Sequence, residues 1–338
     1  SELKRLEQCV REPIRTPGRI QSHGILFAWN KFTGRIDVVS ENAASWLGHP
    51  IEALGSPSLE WSVTSGAHSD PIRVDVDGAA YDAIVHQVGD RVVVELESHA
   101  DREAFPSTSV MGTIRTLADA ESVDELRQLA VDELRAITGY DRVVIYRFFP
   151  DGHGEVAAEA AAEGMESYRG LHFPASDIPQ QARSLYITKL SRMIANTDDA
   201  GLGLLSLDEG GEPLDLSGAE LRAVSPHHIE FMRNMGQQST VSLSLEHDGR
   251  LIGMVTCAHR TPRRLPVLLR RALEVLASQL TLQLVALESI ARLRRELDAR
   301  EQRRILLTPV AGSFEPLDAL LTGPGSLLEL VQADGAIV

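Results

Sequence analysis

The sequence predicts an α+β chain of two domains followed by a long helix, and three observations carry that prediction. Residues 24–97 alternate apolar and polar side chains in short runs broken by glycine and Asp-Gly. Residues 122–259 open with a capped amphipathic helix and close with a hairpin. Between Pro266 and Pro309 no glycine or proline occurs, so one helix can run the whole distance. The chain has 338 residues, length enough for two cores.

In chain order, GILFAW reads as a strand, NKFTG as a turn and RIDVVS as a second strand. A short helix is expected around Asn42 to Leu47, then strands in PIRVDVDG, YDAIVHQV and DRVVVELES. Together they predict a small antiparallel sheet with few helices. HADREAFPSTS, polar and broken by Pro106, reads as a linker. Ser122 and Glu125 form a capping box ahead of DELRQLAVDELRAITGY, which Gly139 ends. RVVIYRFF predicts a buried strand, and STVSLSLEHDGRLIGMVTCAH a hairpin turning at Asp248-Gly249. In the long helix Leu273, Leu276, Leu280, Leu287, Ile290 and Leu297 recur about every 3.5 residues, interrupted by Gln283 and Arg294. That stripe suits pairing with a second copy, or packing of its first half on its own domain, or both. After Pro309, SFEPLDALLTGPGSLLELVQADGAIV predicts the start of a further helix–strand unit.

A net charge of −15 leaves no large basic face for nucleic acid or an anionic membrane. No continuous apolar run reaches the ~18 residues of a membrane span, and SELKRLEQ lacks a signal-peptide core. An acidic cytoplasmic protein is the expectation. Two cysteines, Cys9 and Cys257, are too few for a disulfide framework or a cysteine-rich zinc site. The three lysines, Lys4, Lys31 and Lys189, sit in no apolar, pocket-like context, which argues against Schiff-base chemistry.

The segment FPASDIP places Asp177 in a mostly apolar loop held by Pro174 and Pro179. Each proline fixes a torsion and withdraws an N–H, so the loop is stiff and carbonyls are free to face a pocket. Taken alone, the same loop is a rigid turn opening the helix at Pro179. In SPHHIEFMRNMG, Ser225 is an N-cap, Pro226 the first helical residue and Gly236 a terminator. His227 and His228 then point about 100° apart, so one of them at most would face a given pocket. Arg222, and Arg192 on the helix following FPASDIP, are candidate anion partners. Cys9 lies just ahead of a proline-rich extended run. Cys257, on a strand among small neighbours, reads as a buried core thiol.

In combination and order, CVREPIRTPGRIQSHG, FPASDIPQQARSLY, SPHHIEFMRNMG and GMVTCAHRTPRRLP resemble the photosensory region of bacterial phytochromes over nearly the whole chain. The resemblance implies an N-terminal arm (residues 1–23), a PAS domain (24–100), a linker (101–108), a bilin-binding GAF domain with the long helix (109–304) and the opening of a PHY domain (305–338). The arm would thread a GAF loop as a figure-of-eight knot. Cys9 matches the thiol that forms a thioether to biliverdin. Asp177 matches the aspartate whose carbonyl accepts from the pyrrole N–H groups, and His228 the histidine that helps keep the bilin protonated. Arg192, Arg222, Tyr186, Thr240 and Ser242 match propionate-binding positions, and Tyr146, Phe173 and Phe231 the aromatic box around the D ring. Ile178, Pro179, Ser225 and Ala258 complete the implied pocket.

Two departures from the family pattern stand out. Ala258 occupies the place of a histidine that hydrogen-bonds the D-ring carbonyl, with His259 next to it, and Phe231 stands where tyrosine is common. The implied function is a red/far-red photoreceptor module without turnover of its own, catalytic residues or metal. Its implied partners are a second copy through the long helix, PHY and output domains, and a response regulator of a sensor histidine kinase. The rival readings are a GAF-type metabolite sensor without photochemistry, and a haem or metal redox sensor built on His227, His228, His259 and Cys257.

Overall fold

The computed structural model describes residues 12–65, 70–99, 107–208, 210–311, 313–322 and 325–331. Cys9 lies outside them. Strands β1 (Arg19–Ile20), β2 (Gly24–Asn30), β3 (Arg35–Ser40), β4 (Ile72–Val76), β5 (Ala79–Val88) and β6 (Arg91–Ser98) follow the predicted runs apart from β1. A 3-10 helix occupies Glu41–Trp46, and an α-helix occupies Pro57–Ser65. The six strands belong to a seven-stranded antiparallel sheet, ordered β1-β11-β3-β2-β6-β5-β4, whose β11 (Leu202–Ser206) comes from far along the chain.

That borrowed strand joins residues 202–206 to the N-terminal sheet within a single unit. Residues Ser1–Leu282 form one compact unit and Gln283–Val338 a second. One face of the first sheet buries Phe27, Ile36, Val74, Val94 and Leu96 with Leu59 and Val63 of the helix. The other face buries Leu26, Ala28, Val38 and Val93 beneath Leu214, Leu216 and Leu221 of an extended loop. Coverage on both sides explains why β2 is apolar from Ile25 to Trp29 rather than strictly alternating, and why Val92, Val93 and Val94 run together in β6.

The arm is held from two directions. β1 pairs with Leu202 and Gly203, and the Leu204 N–H donates to the Gly18 carbonyl. On the other side the N–H groups of Leu216 and Ala223 donate to the carbonyls of Arg15 and Arg19.

The second sheet has the order β10-β12-β13-β7-β8-β9, with β7 (Arg142–Phe148), β8 (Gly154–Ala161), β9 (His172–Phe173), β10 (Ser191–Ile194), β12 (Ser239–His247) and β13 (Arg250–His259). Asp248 and Gly249 both take positive φ, 52° and 73°, as a two-residue I′ hairpin turn requires. The predicted helix spans Val123–Thr138 and ends on Gly139 at φ 65°. Its capping box is only half formed. Ser122 Oγ accepts from the Glu125 N–H, but the Glu125 carboxylate accepts from the Glu121 N–H instead of closing on Ser122.

Two further expectations are corrected. Ser107, assigned to the linker, begins the helix Ser107–Ala118. The described part of the tail holds two short helices, Pro316–Leu321 and Leu327–Val331, and the residues that follow, where a strand was expected, lie outside the described residues. The long helix, Val267–Val310, is by length and composition apolar enough over Val267–Thr308 to cross a membrane. Its Leu273, Leu276 and Leu280 are fully buried, the placement of a core helix, whereas Ile290, Leu293 and Leu297 in the second unit are exposed.

Candidate functional site

A cavity of about 490 Å³ opens against the second sheet, within the ~300–1,000 Å³ typical of ligand pockets. Its floor follows from the period of two along a strand. Thr240 and Ser242 of β12 stand opposite Ala258 and Thr256 of β13, and Val144 and Tyr146 of β7 stand opposite Thr256 and Met254. All seven line the cavity. The residues between them turn the other way, and Val241, Leu243, Val255 and Cys257 are buried in the core behind the sheet. Gly154 lets the Tyr146 ring lie down on that floor, because a Cβ at residue 154 would meet the ring at 1.9 Å.

The walls come from the two motif segments. Phe173 ends β9, Ala175–Asp177 form one 3-10 turn, and Pro179 is the N-cap of the helix Gln180–Thr188 rather than its first residue. The stiffness of FPASDIP has a second source besides its prolines. Arg183 Nε donates to the Ile178 carbonyl and the Arg183 N–H to the Pro179 carbonyl, at 2.8 and 3.0 Å. The opposite wall is the helix Pro226–Asn234. Ser225 sits at its N-cap but makes no capping bond, pairing instead with the Glu12 carboxylate at 2.5 Å. The cavity wraps this first turn closely enough that His227 and His228 both border it, against the expectation that one at most would do so.

Fourteen of the fifteen expected site residues line this one cavity: Tyr146, Phe173, Asp177, Ile178, Pro179, Tyr186, Arg192, Arg222, Ser225, His228, Phe231, Thr240, Ser242 and Ala258. Arg192, however, lies on β10 and not on a helix, because the preceding helix stops at Thr188 and SRMI pairs with β12. The aromatic residues form two groups rather than one box. Tyr146 packs on Phe173 and Phe148, with centroids 5.8 and 5.3 Å apart, while Phe231 stacks on His228 at 6.1 Å.

The electrostatics favour an anion. Arg192 is buried and donates to the carbonyls of Glu220, Arg222 and Ala223. Burial first, and then the like charge of Arg222, lower its pKa to about 9. Arg222 donates to the Ile14 carbonyl, burial lowers its pKa as well, and its Nε is buried with no hydrogen-bond partner among the described residues. A buried guanidinium and a half-buried one whose Nε is an orphaned donor are the complement of a carboxylate. Burial and Arg192 push His228 down to about 4, so it is neutral at pH 7. Burial raises Asp177, and burial with the Asp177 charge raises Tyr146 to about 12, keeping it a protonated phenol.

Sequence reasoning missed several lining residues. Lys189, judged to lie outside any pocket, lines the cavity, with its ammonium paired to the Glu220 carboxylate. Its neighbours Leu190 and Ser191 gave no hint, since the carboxylate partner is 31 positions away. Arg142 lies 3.4 Å over the Tyr168 ring and pairs with Glu159 at 3.0 Å. Thr256 was legible in principle, because it lies two residues before Ala258 on the same strand.

His259 faces away from the cavity, 2.9 Å from Asp141 and tilted over Tyr140, so it does not replace the histidine missing at Ala258. Cys257 shares that far side and is fully buried, with its thiol pushed up to about 12 by burial. The four residues of the redox-sensor reading therefore stand on opposite faces of the sheet and do not converge.

A tandem PAS–GAF ligand-binding module is the class to which these two sheets and their cavity correspond. The PAS fold family matches residues 9–99 and the GAF domain family residues 122–284. The chromophore-binding domain of the unusual bacteriophytochrome RpBphP3 from R. palustris is 38% identical, with a TM-score of 0.77 over 83% of this chain and 99% of that domain. The photosensory core module of the Stigmatella aurantiaca phytochrome is 36% identical, with a TM-score of 0.83 over 96% of this chain and 69% of that one. The bacteriophytochrome of Pseudomonas aeruginosa is 32% identical over 98% of this chain and 48% of its own length. The chain belongs to the bacteriophytochrome family, and spans about half the length of the curated relatives it matches.

Proposed function

We propose that the cavity holds biliverdin as a thioether of Cys9 and that the chain is the light-sensing part of a red/far-red photoreceptor. The observation that carries this reading is the convergence of FPASDIP, the first turn of Pro226–Asn234 and the Arg192–Arg222 pair on a single cavity. When bound, a linear tetrapyrrole supplies a red-absorbing conjugated system with a methine bridge that isomerises in light. Arg192 and Arg222 bind its propionates, with Tyr186, Thr240 and Ser242 as directional donors. Asp177 would accept from the pyrrole N–H groups, and neutral His228 would offer them one ring N–H and one acceptor nitrogen. Tyr146, Phe173 and Phe231 enclose one end, where Ala258 offers no donor.

Glu12 lines the cavity, and three residues of extended chain cover at most ~10 Å, so Cys9 is within reach of a ligand there. The arm, held between residues 202–204 and 216–223, is read as the threaded strand of a figure-of-eight knot. Following the family, the parent protein is read as a cytoplasmic sensor histidine kinase with PHY and output domains and a response-regulator partner. It dimerises through the exposed Ile290, Leu293 and Leu297 stripe. Mixing purified protein with biliverdin and recording absorption before and after red light tests the reading. A far-red band that changes on illumination supports it, and absence of any band refutes it.

A further inference from the structure

One buried carboxylate connects the cavity to the long helix. Glu220 Oε1 pairs with the Lys189 ammonium from the cavity wall and, at 2.9 Å, with Arg271 Nη2 from the helix. Glu220 Oε2 lies 3.3 Å from Arg270 Nη1 of the same helix, and Lys189 is also 4.0 Å from Glu274, one turn further along. The backbone of Glu220 is fixed, since its N–H donates to the buried Glu95 carboxylate at 3.0 Å and its carbonyl accepts from Arg192 at 3.1 Å. Arg270 is anchored a second time by Glu97. Of the three cations that pair with the Glu220 carboxylate, only Lys189 lines the cavity, and it does so on a long flexible stem. It is the element that can change partner.

We propose that Lys189 and Glu220 form a coupling device. A carboxylate-bearing occupant of the cavity draws the Lys189 ammonium away from Glu220 Oε1, and the freed oxygen is then held by Arg271 alone, tightening residues 267–274 of the helix against the domain. The inference rests on the cavity taking an anionic ligand, as the chromophore reading requires. It assigns to the first turns of the helix a response to occupancy itself, separate from any response to light. The physical basis is competition of two cations for one oxygen in a buried, weakly screened setting.

Amide hydrogen exchange of residues 267–282 is the test, read in wild type, Lys189→Met, Arg271→Gln and the double variant, each without pigment and with biliverdin. In pigment-free protein Lys189→Met should slow exchange of this segment by about fivefold or more, the lower end of ordinary coupling. Biliverdin should slow it similarly in wild type and add little in Lys189→Met. Arg271→Gln should abolish the effect of Lys189→Met in the double variant, a non-additivity that general loosening of the fold would not give. Pigment-free Lys189→Met exchanging like wild type, or the two substitutions adding independently, overturns the proposal. Failure of wild type to take up biliverdin would instead reject the chromophore reading, and the pigment-free comparison would still decide the coupling.

Discussion

Replacing Arg270 by methionine should be among the most damaging single changes in the chain. Arg270 is fully buried and bridges Glu97 of the first sheet and Glu220 of the covering loop. Removing one member of a buried ion pair costs about 3–5 kcal/mol, because the remaining charge stays desolvated. Glu220 keeps Lys189 and Arg271, but Glu97 is left with His23 and Arg264 at 3.8 Å, so the range as a whole applies. At about 2–4 °C per kcal/mol for a unit of this size, the melting temperature should fall by roughly 6–20 °C. The loss should also depend on pH. Burial pushes the Glu220 carboxyl up, but Arg270, Lys189 and Arg271 outweigh it and hold it at about 2. A carboxyl depressed in the folded state stabilises fully above its ordinary value of 4.5 and loses that contribution as pH falls towards 2. Arg270→Met raises this pKa, so the gap between variant and wild type should be widest above pH 5 and narrow towards pH 3. Urea unfolding followed by circular dichroism at several pH values measures both effects. A loss below about 1 kcal/mol at pH 7, or a gap that widens in acid, would refute the reasoning.

Other predictions concern single groups. Glu95 is fully buried, and burial with the Glu220 charge lifts its carboxyl to about 7. Its ionised form is penalised, so stability should decline by about 3 kcal/mol as pH rises from 4.5 to 7. Glu95→Gln should remove that slope in a urea series, and an unchanged slope would count against it. Ala258→His should change the photoconversion yield seen in light-minus-dark spectra, because it restores a donor on the cavity floor that His259 cannot supply, and an identical yield would contradict this. Exchanging Ile290 and Leu297 together for aspartate should convert a dimer to a monomer by light scattering, whereas a dimer that survives would place the contact elsewhere.

Strands β2 to β6 of the first sheet, and β7, β12 and β13 of the second, were legible because their signals are local, whereas β8 and β9 were not anticipated. Alternation, the Asp248-Gly249 turn and the Gly139 stop each need only a few neighbouring residues. β1 and β11 were not legible, being strands of two and five residues that pair across about 180 positions. The same limit misplaced Arg192, whose strand is set by pairing with β12 rather than by its own short sequence. Glu95 and Glu97 alternate along β6 in a way that suits a solvent face, and only the loop around Leu214–Leu221 turns that face into an interior. The buried ion cluster around Glu220, and with it the role of Lys189, was invisible for that reason. Motifs recovered the cavity residues better than periodicity could, since most of FPASDIP and SPHH borders the cavity although the segments lie on loops and helix ends without a regular period.

Covalent attachment tests the central claim most directly. Wild-type protein and Cys9→Ser, each incubated with biliverdin, would be run on a denaturing gel and examined for bound pigment. The account predicts pigment retained on wild type and lost from Cys9→Ser, with reversible binding still visible in the native spectrum of the variant. Pigment retained equally on both would contradict attachment through Cys9, and no pigment on either protein, native or denatured, would contradict the chromophore reading itself.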